Sequence, residues 1–262
     1  MATATVGPLL REWRTRRRLS QLDLALEAEV SARHLSFVET GRSRPSAEMV
    51  LHLAEQLDVP LRDRNHLLLA AGHAPVFDEH ALDEPEMAPV RDALQSILDG
   101  HDPYPAIVVD RAWEMVAGNR AVALMTAMAA PELLEPPVNA LRVSLHPNGM
   151  APRIVNLAEW RAHLLERLRR QIALTGDDAL QTLLEELESY PGGEEHSLDP
   201  QRIAVPLRLE SDAGELAFIS TVATFGTAVE VTASELAIES FFPANSATAE
   251  AMRAFVADLP AR

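Results

Sequence analysis

The chain has 262 residues, of which 47% are hydrophobic and 24% are charged. This length exceeds the usual size of one domain, so two domains are expected, each able to bury a core of its own. No apolar run reaches the roughly 18 residues that a membrane span needs, and cysteine is absent, which excludes disulfides and thiolate zinc sites. The basic cluster near the start follows a short apolar stretch, unlike a secretory signal, so a cytoplasmic protein is expected.

The net charge of −16 by itself argues against a nucleic-acid partner, because phosphate neutralisation supplies most non-specific affinity. The charge is unevenly distributed, however. Residues 1–45 hold eight Arg against five acidic residues, a balance of +3, which leaves −19 for the remainder. Such an asymmetry is expected when one domain binds DNA and the other does not. Every basic residue is Arg, which suits phosphate and guanine, although high genomic GC content explains that bias equally well.

Five short helical patterns fill residues 7–72, with turn residues between them. Ser20, Ser31 and Ser46 stand where the second, third and fourth helices need N-caps, and Gly72 ends the fifth. Two short helices joined by a tight turn, then Gly and a basic loop, fit a module whose third helix enters the major groove of DNA. The predicted buried seam consists of Leu22, Ala25, Leu26, Val30, Leu35 and Val38.

A spaced set of residues within 19–59 carries a family pattern. Its members are Ser20-Gln21, Ala25, Val30-Ser31, Leu35, Val38-Glu39, Gly41-Arg42, Pro45 and Leu53-Ala54. In these positions the stretch resembles the Xre-type helix-turn-helix family of bacterial and phage repressors. The resemblance implies a double-stranded DNA operator as partner and an ion pair between Arg14 and Glu39 that directs Arg14 toward phosphate.

The DNA contacts predicted from this resemblance and from side-chain chemistry are Gln21, Ser31, Ala32, Arg33, His34, Phe37, Arg42, Arg44 and Arg14. Arg33 is the foremost candidate for reading guanine, with a phosphate contact as the alternative. Gln21 begins the second helix, where its amide can meet a phosphate, and Arg42 and Arg44 flank a loop that the family places on the DNA backbone. Phe37 can contact thymine methyl groups or pack on the core, and core packing is the favoured interpretation.

Residues 73–90 are rich in Pro and acidic residues and are interpreted as a linker between residues 1–72 and a second domain, 91–262. That domain mixes helix and strand patterns. Helices are predicted at 91–100, 119–128, 157–174, 177–190 and 246–257, and strands at 105–110, 113–118, 202–211 and 214–226, with one or two more strands within 228–244.

Three stretches of the second domain carry a further resemblance. They are YPAIVVDRAWEMVAGNRAV, LHPNGMAPRIVNLAEW and GELAFISTVATFGTAVEVTASELAIESFFPA. They resemble the ligand-binding region of MmyB-like regulators, a PAS-like α/β domain. The expected fold is therefore multi-domain: an all-α, five-helix Xre/phage-repressor-type helix-turn-helix domain followed by an α/β PAS-like domain.

The second resemblance implies a small apolar effector of the fatty-acid-like class and no other cofactor. Filling a cavity between sheet and helices would shift the population between DNA-competent and incompetent forms. The candidate ligand-binding residues are Trp113, Met115, Met125, Met128, Phe218, Phe225 and Arg153. Ordinary core packing is the alternative for each apolar one, and an ion pair for Arg153. Asn119 is expected to cap a helix.

Enzyme signatures are absent: no glycine-rich phosphate loop, HExxH or GxSxG occurs, and the histidines lack metal-ligand spacing. We therefore expect a non-enzymatic, nucleoid-associated transcription regulator. We expect it to be dimeric, because one helix-turn-helix domain contacts little DNA and the paired half-sites of an operator fix the spacing between two such domains. The alternative is a DNA-binding protein whose second domain is a protein-interaction or antitoxin-like module. A closed apolar cavity favours ligand sensing, whereas a flat exposed apolar patch favours a protein partner.

Overall fold

The structure, a computed structural model, describes residues 5–192 and 204–260. These residues form two compact units. The first comprises the described chain up to His80 together with 173–176 and 227–234. The second comprises the other described segments.

The N-terminal part of the first unit is helical. Its helices are α1 (Val6–Arg16), α2 (Gln21–Glu27), α3 (Ala32–Glu39), α4 (Ala47–Gln56) and α5 (Leu61–Ala71). The hydroxyls of Ser20, Ser31 and Ser46 accept hydrogen bonds from backbone N–H groups three residues on, at 3.1, 3.1 and 3.2 Å. Asp23 completes a capping box on α2, and Gly72 ends α5 in the left-handed region at φ 78°. All four predicted helix ends are thus confirmed.

One apolar core holds these helices together. Its fully buried members include Leu10, Leu24, Leu35, Val50, Leu53, Leu57, Leu67 and Leu68. Helix α1 approaches α3 closely at Gly7, where an added Cβ would lie 2.5 Å from the carbonyl oxygen of Val38. A side chain at position 7 would therefore push α1 away from α3.

The rest of the described chain mixes helices and strands. The helices are α6 (Ala88–His101), α7 (Ala123–Thr126), α8 (Ala140–Leu145), α9 (Leu157–Thr175), α10 (Asp178–Ser189), α11 (Val231–Glu235) and α12 (Ser246–Ala257). The strands are β1 (Ala106–Val109), β2 (Met115–Gly118), β3 (Leu207–Ser211), β4 (Gly214–Thr224) and β5 (Ala237–Pro243). They form one antiparallel sheet in the order β2-β1-β5-β4-β3.

Side chains alternate between the two faces of this sheet, as the pleat requires. On β1, Ile107 and Val109 join a large core that includes residues of α8, α9 and α10. Ala106 and Val108 join a smaller cluster with Leu94 and Leu98 of α6 on the other face. Helices therefore cover both faces of the sheet at β1, and the larger core contains the space described below.

Most elements predicted for the second domain are confirmed, with three differences. Of the one or two strands predicted within 228–244, one is present, β5, and it follows a helix that was not predicted, α11. The Glu230 carboxylate accepts a hydrogen bond from the Ala233 N–H at 2.7 Å and so starts this helical turn. Asn119 caps no helix with its side chain. It accepts from the Ala106 N–H at 3.1 Å and donates to the Tyr104 carbonyl at 2.7 Å. The predicted strand at 202–211 begins at Leu207, and its residues 202–203 lie outside the described ranges.

Candidate functional site

The turn between α2 and α3 positions the third helix. Glu29 adopts φ 52°, and the Val30 N–H donates to the Ala25 carbonyl at 2.9 Å, which closes the end of α2 before Ser31 starts the next helix. The inward side chains at this crossing are Leu24, Ala25, Ala28, Leu35 and Val38, each at most 3% exposed. The result is a compact pair of helices with the outer face of α3 free of core residues.

Two leucines predicted for the buried seam lie on the surface instead. Leu22 is 60% exposed and Leu26 is 69% exposed, so this part of the prediction is wrong. Helix α2, taken with its C-cap Ala28, has two apolar stripes at i, i+4 spacing, 22/26 and 24/28, and only the second faces the other helices. The seam prediction holds for Ala25, Leu35 and Val38.

A buried polar network ties α1 to α2 and α3. Arg14 donates from Nε and Nη2 to Glu39 Oε1 and Oε2 at 2.7 and 2.9 Å, and from Nη1 to the Leu19 carbonyl at 2.8 Å. Gln21 Nε2 donates to Glu39 Oε2 at 2.8 Å. The hydrogen bond to Glu39 raises the pKa of Arg14. Burial opposes ionisation of Glu39, yet hydrogen bonds from Arg14 and Gln21 hold its pKa below the ordinary value. The predicted ion pair is confirmed.

The predicted base-reading residues occupy the first turns of α3. Ser31 serves as N-cap through its hydroxyl, Ala32 and His34 are half-buried, and Arg33 is exposed. The Arg33 guanidinium lies 5.4 Å from the centre of the Phe37 ring, which is itself half-buried. A cation over a ring face is attracted by the ring quadrupole. Arg33 and Phe37 therefore present one combined surface on the outer side of α3.

The basic residues after α3 differ in what they contact. Arg42 is exposed in the loop that the sequence places on the DNA backbone. Arg44 donates from Nε to the Ala71 carbonyl at 3.0 Å and from Nη2 to the Gly72 carbonyl at 3.4 Å, so it stabilises the C-terminus of α5. Arg17 donates to the Leu57 and Asp58 carbonyls at 2.8 Å each. Sequence gave no sign of these capping contacts, because their partners are distant in the chain.

An apolar cavity lies between the sheet and the helices of the second unit. Its apolar lining consists of Ile107, Trp113, Met115, Val122, Met125, Val138, Ala140, Leu141, Val143, Met150, Trp160, Leu164, Leu207 and Phe241. Its polar lining consists of Thr126, Ser144 and Glu239. Measured as the space open to the centre of a water molecule, the cavity holds about 60 Å³. That space accommodates a few waters but not a long acyl chain, so an extended ligand requires the lining to repack.

Trp113 is strained and firmly held at the cavity wall. Its φ of 66° lies in the left-handed region, which is unfavourable for a bulky residue. Its indole Nε1 donates to Gln171 Oε1 at 2.8 Å, and the Arg167 guanidinium lies 4.3 Å from its ring centre. Strained backbone persists where surrounding contacts over-determine it, and such residues cluster at ligand sites.

The structure brings three of the seven candidate ligand-binding residues together. Trp113, Met115 and Met125 line the cavity. Phe218 is fully buried in the surrounding core, and Phe225 packs against the cluster on the opposite face of the sheet. Met128 and Arg153 border a separate surface groove beside α12.

Several residues that line the cavity were not among the ligand-binding residues predicted from the sequence. Met150, Trp160 and Phe241 carry ordinary core signals, so nothing in their local pattern marks them as facing empty space. Glu239 had a detectable signal: it is a single acidic residue within the apolar strand AIESFFP.

Among residues 5–192 and 204–260, no helix is both long and apolar enough to cross a membrane. Nor does this part of the chain group three or more His, Cys, Asp or Glu side chains in a way that could hold a metal ion.

Comparison with known proteins matches two regions of the chain. Residues 90–255 match the model of the MmyB-like transcription regulator ligand-binding domain, and residues 10–63 match a helix-turn-helix model. No curated protein matches the chain. A solved structure of an RsLOV variant is similar at 14% sequence identity and a TM-score of 0.29, covering 66% of this chain and 87% of that one. The predicted architecture, an all-α helix-turn-helix domain followed by an α/β ligand-binding domain, is confirmed.

Proposed function

Because this chain belongs to the MmyB-like family of transcription regulators, we propose that it is a cytoplasmic, dimeric repressor or activator whose affinity for its operator is set by a small fatty-acid-like ligand. The helix-turn-helix domain binds DNA, and the second domain receives the ligand. The single observation that carries the ligand part is the apolar cavity lined by Trp113, Met115 and Met125.

The chemistry of the lining favours a flexible apolar ligand. Three methionines, Met115, Met125 and Met150, border the cavity, and their unbranched side chains change rotamer at low cost. The small volume of the empty cavity means that ligand entry must displace some of them. Binding therefore changes the packing around the sheet, which is the physical requirement for a ligand that shifts a conformational equilibrium.

The surface of α3 supports sequence-specific binding. Arg33 is exposed, and its guanidinium presents the paired donors that suit guanine O6 and N7. Arg42, exposed after the helix, suits a phosphate. A dimer is proposed because one helix-turn-helix domain buries only a small area on DNA. Two such domains, bound to half-sites about one helical turn apart, together bury a larger area.

Mass spectrometry of small molecules released from the purified full-length protein tests the ligand proposal. We expect one predominant apolar compound at close to one molecule per chain. The matched control is Ala140→Phe, which fills the cavity from its wall and should purify without that compound. Equal recovery from both proteins would refute a ligand in this cavity.

A second candidate is a protein-interaction module, and one observation favours it. Ile219 of β4 and Phe242 of β5 are directly paired across the sheet, and both are exposed. Exposed apolar pairs of this kind occur at protein interfaces. A double variant, Ile219→Ser with Phe242→Ser, tests this candidate. If the variant no longer regulates transcription from the operator but still releases the same compound in the same amount, a macromolecular partner on this face is favoured over ligand gating.

A further inference from the structure

Glu239 is the one charged side chain among the described residues that line the cavity, and its side chain is only 5% exposed. It lies on β5 in register with Ile107 of β1 and Val222 of β4, so aliphatic residues flank it on both sides. Moving a carboxylate out of water into such a place is costly unless its oxygens find donors.

The hydrogen-bond donors of the described residues do not fill the acceptor capacity of the Glu239 carboxylate. Arg167 Nη1 donates to Glu239 Oε2 at 3.2 Å, a single contact without the paired geometry of a bidentate ion pair. Within the described residues, no hydrogen bond reaches Glu239 Oε1. A carboxylate can accept about four hydrogen bonds, so open acceptor capacity borders the cavity.

The nearby donors are already engaged. Trp113 Nε1 donates to Gln171 Oε1 at 2.8 Å, and Trp160 Nε1 donates to Ser144 Oγ at 3.0 Å. Arg167 is held between Glu239 and the face of Trp113. The wall of the cavity thus offers an acceptor with negative charge, whereas its indole donors are occupied.

We propose that the polar end of the ligand is a hydrogen-bond donor, an ammonium or a hydroxyl group, that binds Glu239. This inference rests on the proposed function and narrows it: the ligand keeps the apolar chain of a fatty acid, but a hydrogen-bond donor replaces the carboxylate at its polar end. A donor completes the coordination of the buried carboxylate. A ligand carboxylate would meet a like charge in a poorly solvated site and would have to draw Arg167 away from Glu239.

Three probes with the same chain and different head groups test the proposal: dodecylamine, 1-dodecanol and dodecanoate. Their binding to the delipidated full-length protein at pH 7 can be followed by calorimetry and by the fluorescence of Trp113 and Trp160. We expect the amine to bind at least about tenfold more tightly than dodecanoate, because a charge-assisted hydrogen bond replaces a like-charge contact. The alcohol should fall between them.

Glu239→Gln keeps the shape of the side chain and removes its charge. It should weaken binding of the amine about tenfold or more and strengthen binding of dodecanoate. The matched control is Glu215→Gln, which breaks an Arg–Glu pair on the same sheet at the exposed end of β4 and removes the same charge outside the cavity. Its affinities should equal those of the unaltered protein, which controls for attraction of the amine to an acidic surface. Ala140→Phe should abolish binding of all three probes.

The outcomes separate this inference from the function on which it rests. If dodecanoate binds the unaltered protein as tightly as the amine, or Glu239→Gln leaves the order of the probes unchanged, the head-group assignment is wrong while the apolar cavity site stands. If none of the probes binds, or Ala140→Phe binds them all equally well, both the cavity site and the assignment fail. The ranking in the unaltered protein decides the question even if Glu239→Gln proves unstable.

Discussion

Arg14 and Glu39 join α1 to α3 through two parallel hydrogen bonds of 2.7 and 2.9 Å, and the Glu39 side chain is only 1% exposed. A third donor, Gln21, brings the start of α2 to the same carboxylate. The pair therefore fixes the orientation of the three helices on which the DNA-binding face depends.

Glu39→Ala should lower the free energy of unfolding by about 3 kcal/mol, because it leaves a guanidinium without its partner in a largely buried place. Urea denaturation followed by circular dichroism measures the loss. The control is Glu12→Ala, which removes an exposed partner of Arg16 on the same helix and should cost less than about 1 kcal/mol. Equal losses for the two variants would show that the buried network adds nothing beyond a surface pair.

The same carboxylate predicts a pH dependence. The pKa of Glu39 is held below its ordinary value of 4.5 in the folded protein. Its contribution to stability is therefore complete above the unfolded pKa and is lost as the pH falls through the folded pKa. Unfolding free energies of the unaltered protein and Glu39→Gln, compared between about pH 3 and pH 7, should differ by a constant amount above about pH 5 and converge below it. A constant difference over the whole range would argue against a lowered pKa.

The two stripes of α2 should differ sharply in their effect on stability. Leu24→Ala should cost about 2–5 kcal/mol, since Leu24 is fully buried. Leu22→Gln and Leu26→Gln, at exposed positions of the same helix, should each change stability by less than about 0.5 kcal/mol. Thermal and urea denaturation of the three variants measure this. A large loss at Leu22 or Leu26 would mean that these leucines are covered in the protein in solution.

Substitution of Arg33 and Arg42, both of which are exposed, should separate base reading from phosphate binding. Arg33→Ala is expected to lower affinity for the native operator more than affinity for random DNA, by about 1–3 kcal/mol of discrimination. Arg42→Ala should weaken both alike and reduce the salt slope of binding by about one. Fluorescence anisotropy at several salt concentrations provides both numbers. Equal losses for Arg33→Ala on the two DNAs would reduce Arg33 to a phosphate contact.

The sequence predicted the helix ends of the first unit well, because Ser20, Ser31, Ser46 and Gly72 act through local geometry. It failed at Leu22 and Leu26, since a helix of seven residues carries two apolar stripes and only the neighbouring helices decide which is buried. Local pattern decides where a helix starts, whereas tertiary packing decides what it covers.

The cavity could be predicted only in part. Candidates were chosen from the sequence by residue type, and three of them line the cavity: Trp113, Met115 and Met125. Phe218 was chosen for the same reason, but it is fully buried in the core beside the cavity. Residue type identifies an apolar environment but not where packing leaves a space, which depends on side chains from β1, β5, α8 and α9 at once. Arg44 shows the same limit for charged groups, since its partners on α5 lie 27 and 28 residues away.

Operator affinity of the protein with and without its ligand tests the central claim most directly. Delipidated and ligand-saturated forms of the full-length chain should differ in operator Kd by about tenfold or more, within the usual range of coupling between two sites. In Ala140→Phe, whose cavity is filled, addition of ligand should leave the operator Kd unchanged. Identical operator affinity of the delipidated and saturated unaltered protein would contradict ligand gating.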